Sequence, residues 1–211
     1  MQMRKISLAI LFSIVLVLAA CGGDTNDTNE SNTANEGNVA NNEAATEAEP
    51  VDRFEAVNQE GEPFTLDDLK GQWWVADFVF TNCTTVCLPM TSNMKILQDG
   101  LQEAGLDEVQ LVSFSVDPDR DTPEVLKEYG EQYDADFSNW NFLTGYEFDY
   151  IKDYSISSFK NLVAPPPEGD DQVTHGTAFF LVNPDGVVVN HYKGTDSAAM
   201  DQIIEDLKNS L

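Results

Sequence analysis

From residue 51 onward the apolar positions follow two periods. Trp73 to Phe80 is almost continuously apolar and of strand length, the pattern of a strand covered on both faces, and it is expected at the centre of a sheet. Met90, Met94, Leu97 and Leu101 recur at spacings of four, three and four, which predicts one buried face of a helix over Pro89 to Gly105. Leu111 to Val116 reads as a second strand. Asp121-Thr122-Pro123-Glu124 then opens a helix through Tyr133, with a capping hydroxyl and a proline where helix starts favour them. Trp140 to Leu143 is a short strand, Gly145 to Ser157 a weaker helix, and Val163 to Asp171, with three consecutive prolines, a stiff exposed loop. Thr177–Val182 and Val187–Tyr192 flank Asn183-Pro184-Asp185-Gly186 as a hairpin, and a last helix follows from Ser197 to Leu207. At the front, Val51 to Leu66 around Asn58-Gln59-Glu60-Gly61 is another hairpin, leading into a helical turn that ends at Gly71. Strands alternating with helices predict an α/β domain: a central sheet, helices on both faces, and an N-terminal hairpin extension.

The first 50 residues obey neither period. Arg4 and Lys5 precede an apolar run from Ile6 to Ala20, interrupted only by Ser7 and Ser13 and closed by Leu18-Ala19-Ala20-Cys21. The run is shorter than the roughly 20 residues of a spanning helix. It has the shape of a secretion signal over residues 1–20, and its last four residues resemble a bacterial lipobox. That resemblance implies cleavage before Cys21 and lipidation of the Cys21 thiol, which would tether the chain to the outer side of the cell membrane. Residues 22–50 contain one aliphatic residue larger than alanine, Val39, with seven acids and no lysine or arginine. Such a segment cannot bury a core, and it reads as a disordered tether with a reach of roughly 30 Å. The folded domain is therefore expected at residues 51–211.

Charge narrows the partners. The chain has 11 basic against 37 acidic side chains, a formal charge of −26, so phosphate contacts have almost no electrostatic support and nucleic acid is set aside. Residues 51–211 alone hold 9 basic and 30 acidic side chains. This reads first as a solvated acidic surface suited to a saline or alkaline exterior, and second as a face for a basic partner.

With Cys21 assigned to lipid, two thiols remain, Cys83 and Cys87, where the buried strand turns into the first helix. A helix N-terminus favours thiolate over thiol. If residues 83–87 make one turn, the offset of four places both sulfurs on one side, close enough for a disulfide or for one metal ion. A structural disulfide suits an oxidising exterior, but it would close a short loop in a domain with a sizeable core, where little stabilisation is needed. Of the two histidines, His175 lies in a loop just ahead of the Ala178–Val182 strand, and His191 lies at a strand end.

Taken in order, Phe80-Thr81-Asn82-Cys83, Cys87, Pro89-Met90-Thr91, Ser115-Val116-Asp117-Pro118 with Arg120-Asp121-Thr122-Pro123, and His175 before Phe179 to Val182 resemble the Sco/SenC family. The resemblance spans nearly all of residues 51–211. It implies a thioredoxin-like fold in which Cys83, Cys87 and His175 bind one copper ion. It also implies a role in delivering copper to, or reducing the thiols of, the binuclear copper centre in cytochrome c oxidase subunit II, with another copper chaperone or a thiol-disulfide oxidoreductase as a further candidate partner. Thr84 and Leu88 stand where the family often places a proline after each cysteine. Independently, two thiolates and an imidazole form a soft set that suits Cu(I). Met90 and Met94 read as core, and Asp77, inside the apolar run, as a buried or edge acid that could support the site. The leading reading is a metallochaperone without turnover. The alternative is a thiol-disulfide oxidoreductase in which Cys83 attacks and Cys87 resolves. A peroxidase would need an arginine at its cysteine, for which Arg120 is the candidate.

Overall fold

The computed structural model describes residues 49–211; the signal-like segment, Cys21 and the tether lie outside the described residues. A hairpin of β1 (Glu55–Val57) and β2 (Pro63–Thr65) leads through a 3-10 turn at Leu66–Leu69 into β3 (Trp74–Val79). Then follow α1 (Cys87–Glu103), β4 (Gln110–Ser115), α2 (Pro123–Glu131), β5 (Trp140–Leu143) and α3 (Phe148–Phe159). The chain ends with β6 (Val163–Ala164), β7 (Thr174–His175), β8 (Ala178–Val182), β9 (Val188–Lys193) and α4 (Ala198–Ser210). The central sheet has the order β5-β4-β3-β8-β9, with β3 parallel to β4 and antiparallel to β8.

As its composition predicts, β3 is buried along its whole length. Alternation along the strand divides the core in two. Trp74, Ala76 and Phe78 pack with α3 residues Ile151, Tyr154 and Phe159 and with Phe54 and Phe64 of the front hairpin segment. Val75 and Val79 pack on the other side with Met90, Met94, Leu97 and Leu101 of α1, Leu126 of α2, and Ile203 and Leu207 of α4. Helices therefore cover both faces. Several polar groups caught inside are paired: the Trp140 indole N–H donates to Ser113 Oγ at 3.0 Å, and Asn93 Nδ2 donates to the Gly194 carbonyl at 2.7 Å.

Three expectations need correction. His175 is not in a loop: it belongs to β7, which pairs antiparallel with β6 through Val163↔His175 and Ala164↔Thr174. Two-residue strands leave too little pattern to read, and here the pairing is made by residues separated by the proline loop. Second, α1 begins at Cys87, two residues before Pro89; proline is tolerated in a first turn because its missing N–H would have no partner there. Third, Cys83 to Cys87 is not one helical turn, since only Cys87 is helical. The two sulfurs still come together, for the reason given below.

Met94 is fully enclosed in the α1-side core, so Met94→Ala should lower stability by about 2–5 kcal/mol, measured by urea unfolding.

Candidate metal centre

Past Phe80 the chain leaves the core and turns: the Cys83 N–H donates to the Phe80 carbonyl at 3.3 Å. This folds the Cys83 sulfur back over the start of α1, where it accepts the Cys87 N–H at 3.4 Å. That N–H is one of the first-turn donors that have no partner inside a helix, so the sulfur caps α1 at its positive end. Burial raises the Cys83 thiol, but His175, the Cys87 thiol and the backbone N–H groups of Thr85 and Cys87 more than offset it, bringing it down to about 6. Cys83 is thus largely thiolate at neutral pH. Cys87 is 1% exposed, and burial, the Cys83 sulfur and the charge of Asp77 push its thiol well above the ordinary range. One sulfur holds a charge and the other holds its proton.

The imidazole arrives from the opposite side. His175 Nδ1 lies 2.8 Å from the Gly176 carbonyl, which can only accept, so Nδ1 carries a proton and Nε2 is the nitrogen turned toward the sulfurs. Nε2 lies 3.4 Å from Cys87 Sγ. The ring is held edge-on to Phe80, with centroids 5.7 Å apart. Its strand is held by Val163 and by the Gly176 N–H, which donates to the Leu162 carbonyl at 2.9 Å. A Cβ at Gly176 would sit 1.9 Å from Asn161 Oδ1, so any larger residue here would have to displace the Asn161 side chain. One atom each from Cys83, Cys87 and His175 falls within 4.8 Å of the others, and a cleft of about 300 Å³ lined by Phe80, Cys83, Val86, Pro167, Val173 and His175 opens beside them. The donor set suits a soft, low-coordinate ion such as Cu(I).

The remaining candidates fall elsewhere. Met90 and Met94 are wholly buried in the core, as their spacing implies. His191 is exposed on β9. Arg120 is bonded to Asp117 and to the Asp171 backbone rather than to either sulfur, which removes the support for the peroxidase reading. Both cysteines are free thiols here. Thr84, where the family often has proline, uses the N–H that a proline lacks: it donates to Gln172 Oε1 at 3.3 Å. Sequence reasoning missed Gln172, whose Nε2 also donates to the Asn82 carbonyl at 3.0 Å; no local pattern marks a lone glutamine in an acidic loop.

Asp77 is the buried acid, not an edge residue. It sits on β3 with neither carboxylate oxygen hydrogen-bonded, opposite Ser113 of β4. Burial raises it to about 7.

Together these features define a mixed α/β domain with a dithiol and imidazole site at the mouth of its central strand. Residues 42–211 match the SCO1/SenC family, and the chain belongs to that family. A SCO1/SenC family lipoprotein from Bacillus anthracis is 49% identical, covering 76% of this chain and 94% of its own, with a TM-score of 0.72. BsSco, a member of the Sco family of cytochrome c oxidase assembly proteins in which a disulfide switch was identified, is 45% identical over 76% of this chain and 92% of its own, TM-score 0.69. Copper-bound yeast Sco1 is 27% identical over 75% and 88%, TM-score 0.62. The fold is thioredoxin-like, as the sequence resemblance implied.

Because the Asp77 carboxyl is raised in the fold, its contribution is intact below about pH 4 and is lost as pH climbs through about 7. Asp77→Asn should match the parent in urea unfolding near pH 4 and exceed it by about 2–4 kcal/mol above pH 7. An offset that does not change with pH would show that Asp77 does not titrate there.

Proposed function

We propose that this protein binds one copper ion through Cys83, Cys87 and His175, as a membrane-anchored protein outside the cytoplasm. There it assists assembly of the binuclear copper centre of cytochrome c oxidase, by delivering copper to subunit II, by reducing its thiols, or by both. The observation that carries the reading is the convergence of two sulfurs and one imidazole nitrogen, from segments 88 residues apart, within 4.8 Å. Membership in the SCO1/SenC family and the copper-bound yeast relative support copper as the cargo. The lipobox-like Cys21 and the lipoprotein relative from Bacillus anthracis support a lipid anchor. Among the described residues no helix is long and apolar enough to cross a membrane.

The chain's own groups prepare the exchange. Cys83 offers charge at once and His175 offers a lone pair, whereas Cys87 must surrender a proton before it can bind. The same asymmetry favours thiol exchange as a second reading. The Cys83 thiolate would attack a partner disulfide, releasing one partner sulfur as thiolate and leaving a mixed disulfide. Cys87, once deprotonated, would then displace the second partner sulfur, so that the partner gains two electrons as this dithiol becomes a disulfide.

Anaerobic titration with Cu(I) and Cu(II) against a competing chelator tests the copper reading, in a chain carrying Cys21→Ser so that Cys83 and Cys87 are its only thiols. One copper per chain is expected, with a visible thiolate-to-Cu(II) charge-transfer band lost in Cys83→Ser and Cys87→Ser; substoichiometric binding would transfer the case to thiol exchange. Cu(I) affinity should rise about tenfold per pH unit from 7 to 9, as the Cys87 proton leaves, and more steeply below about 6, where Cys83 is protonated too. His175→Ala should weaken Cu(II) binding by about 10–100-fold and Cu(I) binding much less, since two thiolates alone satisfy Cu(I). Equal Cu(II) affinity in that variant would remove His175 from the site.

A further inference from the structure

The D-x-x-R-D-T-P motif after β4 contributes no ligand, yet two adjacent residues in it reach the two segments that do. Asp121 is completely buried. Its carboxylate accepts the Thr81 hydroxyl at 2.6 Å, the Thr81 N–H at 3.3 Å to both oxygens, and the Ser115 hydroxyl at 2.5 Å. Thr81 lies two residues before Cys83, in the turn that folds the Cys83 sulfur onto α1. Arg120, the preceding residue, donates from Nη1 to Asp117 Oδ2 at 3.0 Å and to the Asp171 carbonyl at 3.2 Å. Asp171 lies four residues before His175. Its own carboxylate accepts from Asn82 Nδ2 at 2.8 Å, and its neighbour Gln172 bonds both Thr84 and Asn82. The motif itself is folded back by the Arg120 and Asp121 N–H groups, both donated to the Asp117 carbonyl, at 3.0 and 2.9 Å.

We propose that Arg120 and Asp121 act as a clasp that fixes the cysteine turn against the histidine strand and so sets the separation of Cys83 and Cys87 from His175. Both are positioning residues, and the assignment rests on the copper reading for its purpose. Outer partners of this kind orient ligands that would otherwise sample several geometries, and their loss commonly costs 10–100-fold in metal affinity. The two arms differ in strength. Asp121 is buried and receives hydroxyl and N–H donors in a site from which water is excluded, whereas the Arg120 side chain is 49% exposed and its contact is screened. Asp121 therefore carries most of the constraint, and Arg120 tunes the histidine side.

The test uses the intact chain with Cys21→Ser and four variants: Asp121→Asn, Thr81→Val, Arg120→Gln and, as control, Ser115→Ala, which removes an Asp121 partner outside the cysteine turn. Amide hydrogen exchange on the metal-free protein reads the clasp without copper. Asp121→Asn and Thr81→Val should speed exchange in residues 81–87, Arg120→Gln in residues 170–176, and none of them in α4. In copper titrations Asp121→Asn and Thr81→Val should weaken Cu(II) binding about 10–100-fold and shift the charge-transfer band. Arg120→Gln should weaken Cu(II) several-fold while leaving Cu(I) nearly unchanged, with Arg120→Lys restoring part of the loss. If Asp121→Asn fails to fold, Thr81→Val, which keeps the carboxylate and removes one donor, carries the same expectation. Unchanged exchange and unchanged Cu(II) affinity in Thr81→Val and Arg120→Gln would overturn the clasp, as would an equal loss in Ser115→Ala. A parent that binds no copper but shows the localised exchange changes would overturn the copper reading and leave the clasp standing.

Discussion

The direction of β8 relative to β3 is the constraint on which the site depends. Because β8 runs antiparallel to β3, with Trp74 opposite Val182 and Ala76 opposite Phe180, the end of β3 lies beside the beginning of β8. Whatever follows β3 must therefore meet whatever precedes β8. Cys83 and Cys87 follow the first, and His175 precedes the second. A parallel pairing would have placed the imidazole at the other end of the sheet. The rigidity of the arrangement comes from β3 itself, which is buried on both faces and paired on both edges, so its end is a fixed point from which a ligand-bearing turn can be aimed.

Around this fixed point the protonation states are divided unequally. The start of α1 supplies an N–H to Cys83 and favours its charge, while burial keeps the proton on Cys87. The Gly176 carbonyl sets the histidine tautomer. Two adjacent sulfurs could not both ionise cheaply in a buried site, because like charges a few ångströms apart repel strongly where water is excluded. A cation removes that penalty, which is the physical reason a dithiol of this kind is a better metal site than a pair of free thiolates. Asp77, without a hydrogen-bond partner beneath the same region, adds a further group whose charge is costly and whose proton is held by burial.

The acidic surface acts at longer range. Nine basic against 30 acidic side chains in residues 51–211 raise the local concentration of cations, and the connection between β6 and β7 places exposed Asp170 and Asp171 close to the site. The Asp171 carboxylate accepts from Asn82 and its backbone carbonyl from Arg120, so part of the negative charge is engaged with the cysteine turn as well as with solvent. Charge on this face thus has a structural and an electrostatic use.

Much of this was legible in the chain. The unbroken apolar run of Trp73–Phe80 and the spacing of Met90, Met94, Leu97 and Leu101 determined a central strand and the helix behind it, because burial on two faces and on one face leave different periods. The ordered cysteines, histidine and D-x-x-R-D-T-P motif picked out Cys83, Cys87 and His175, which the fold brings within 4.8 Å of one another. The two-residue pairing of β6 with β7 was not legible, nor was the orphaned state of Asp77, nor the grip of Gln172 and Asp121 on the cysteine turn. Each depends on residues tens of positions apart, and a local pattern records only what a residue needs from its neighbours in sequence. Residue types and spacing thus decided which groups were available for chemistry. Only the tertiary structure decided which sulfur is charged, which nitrogen faces it and what holds them together, because those depend on distance and burial, and both are set by the packed sheet.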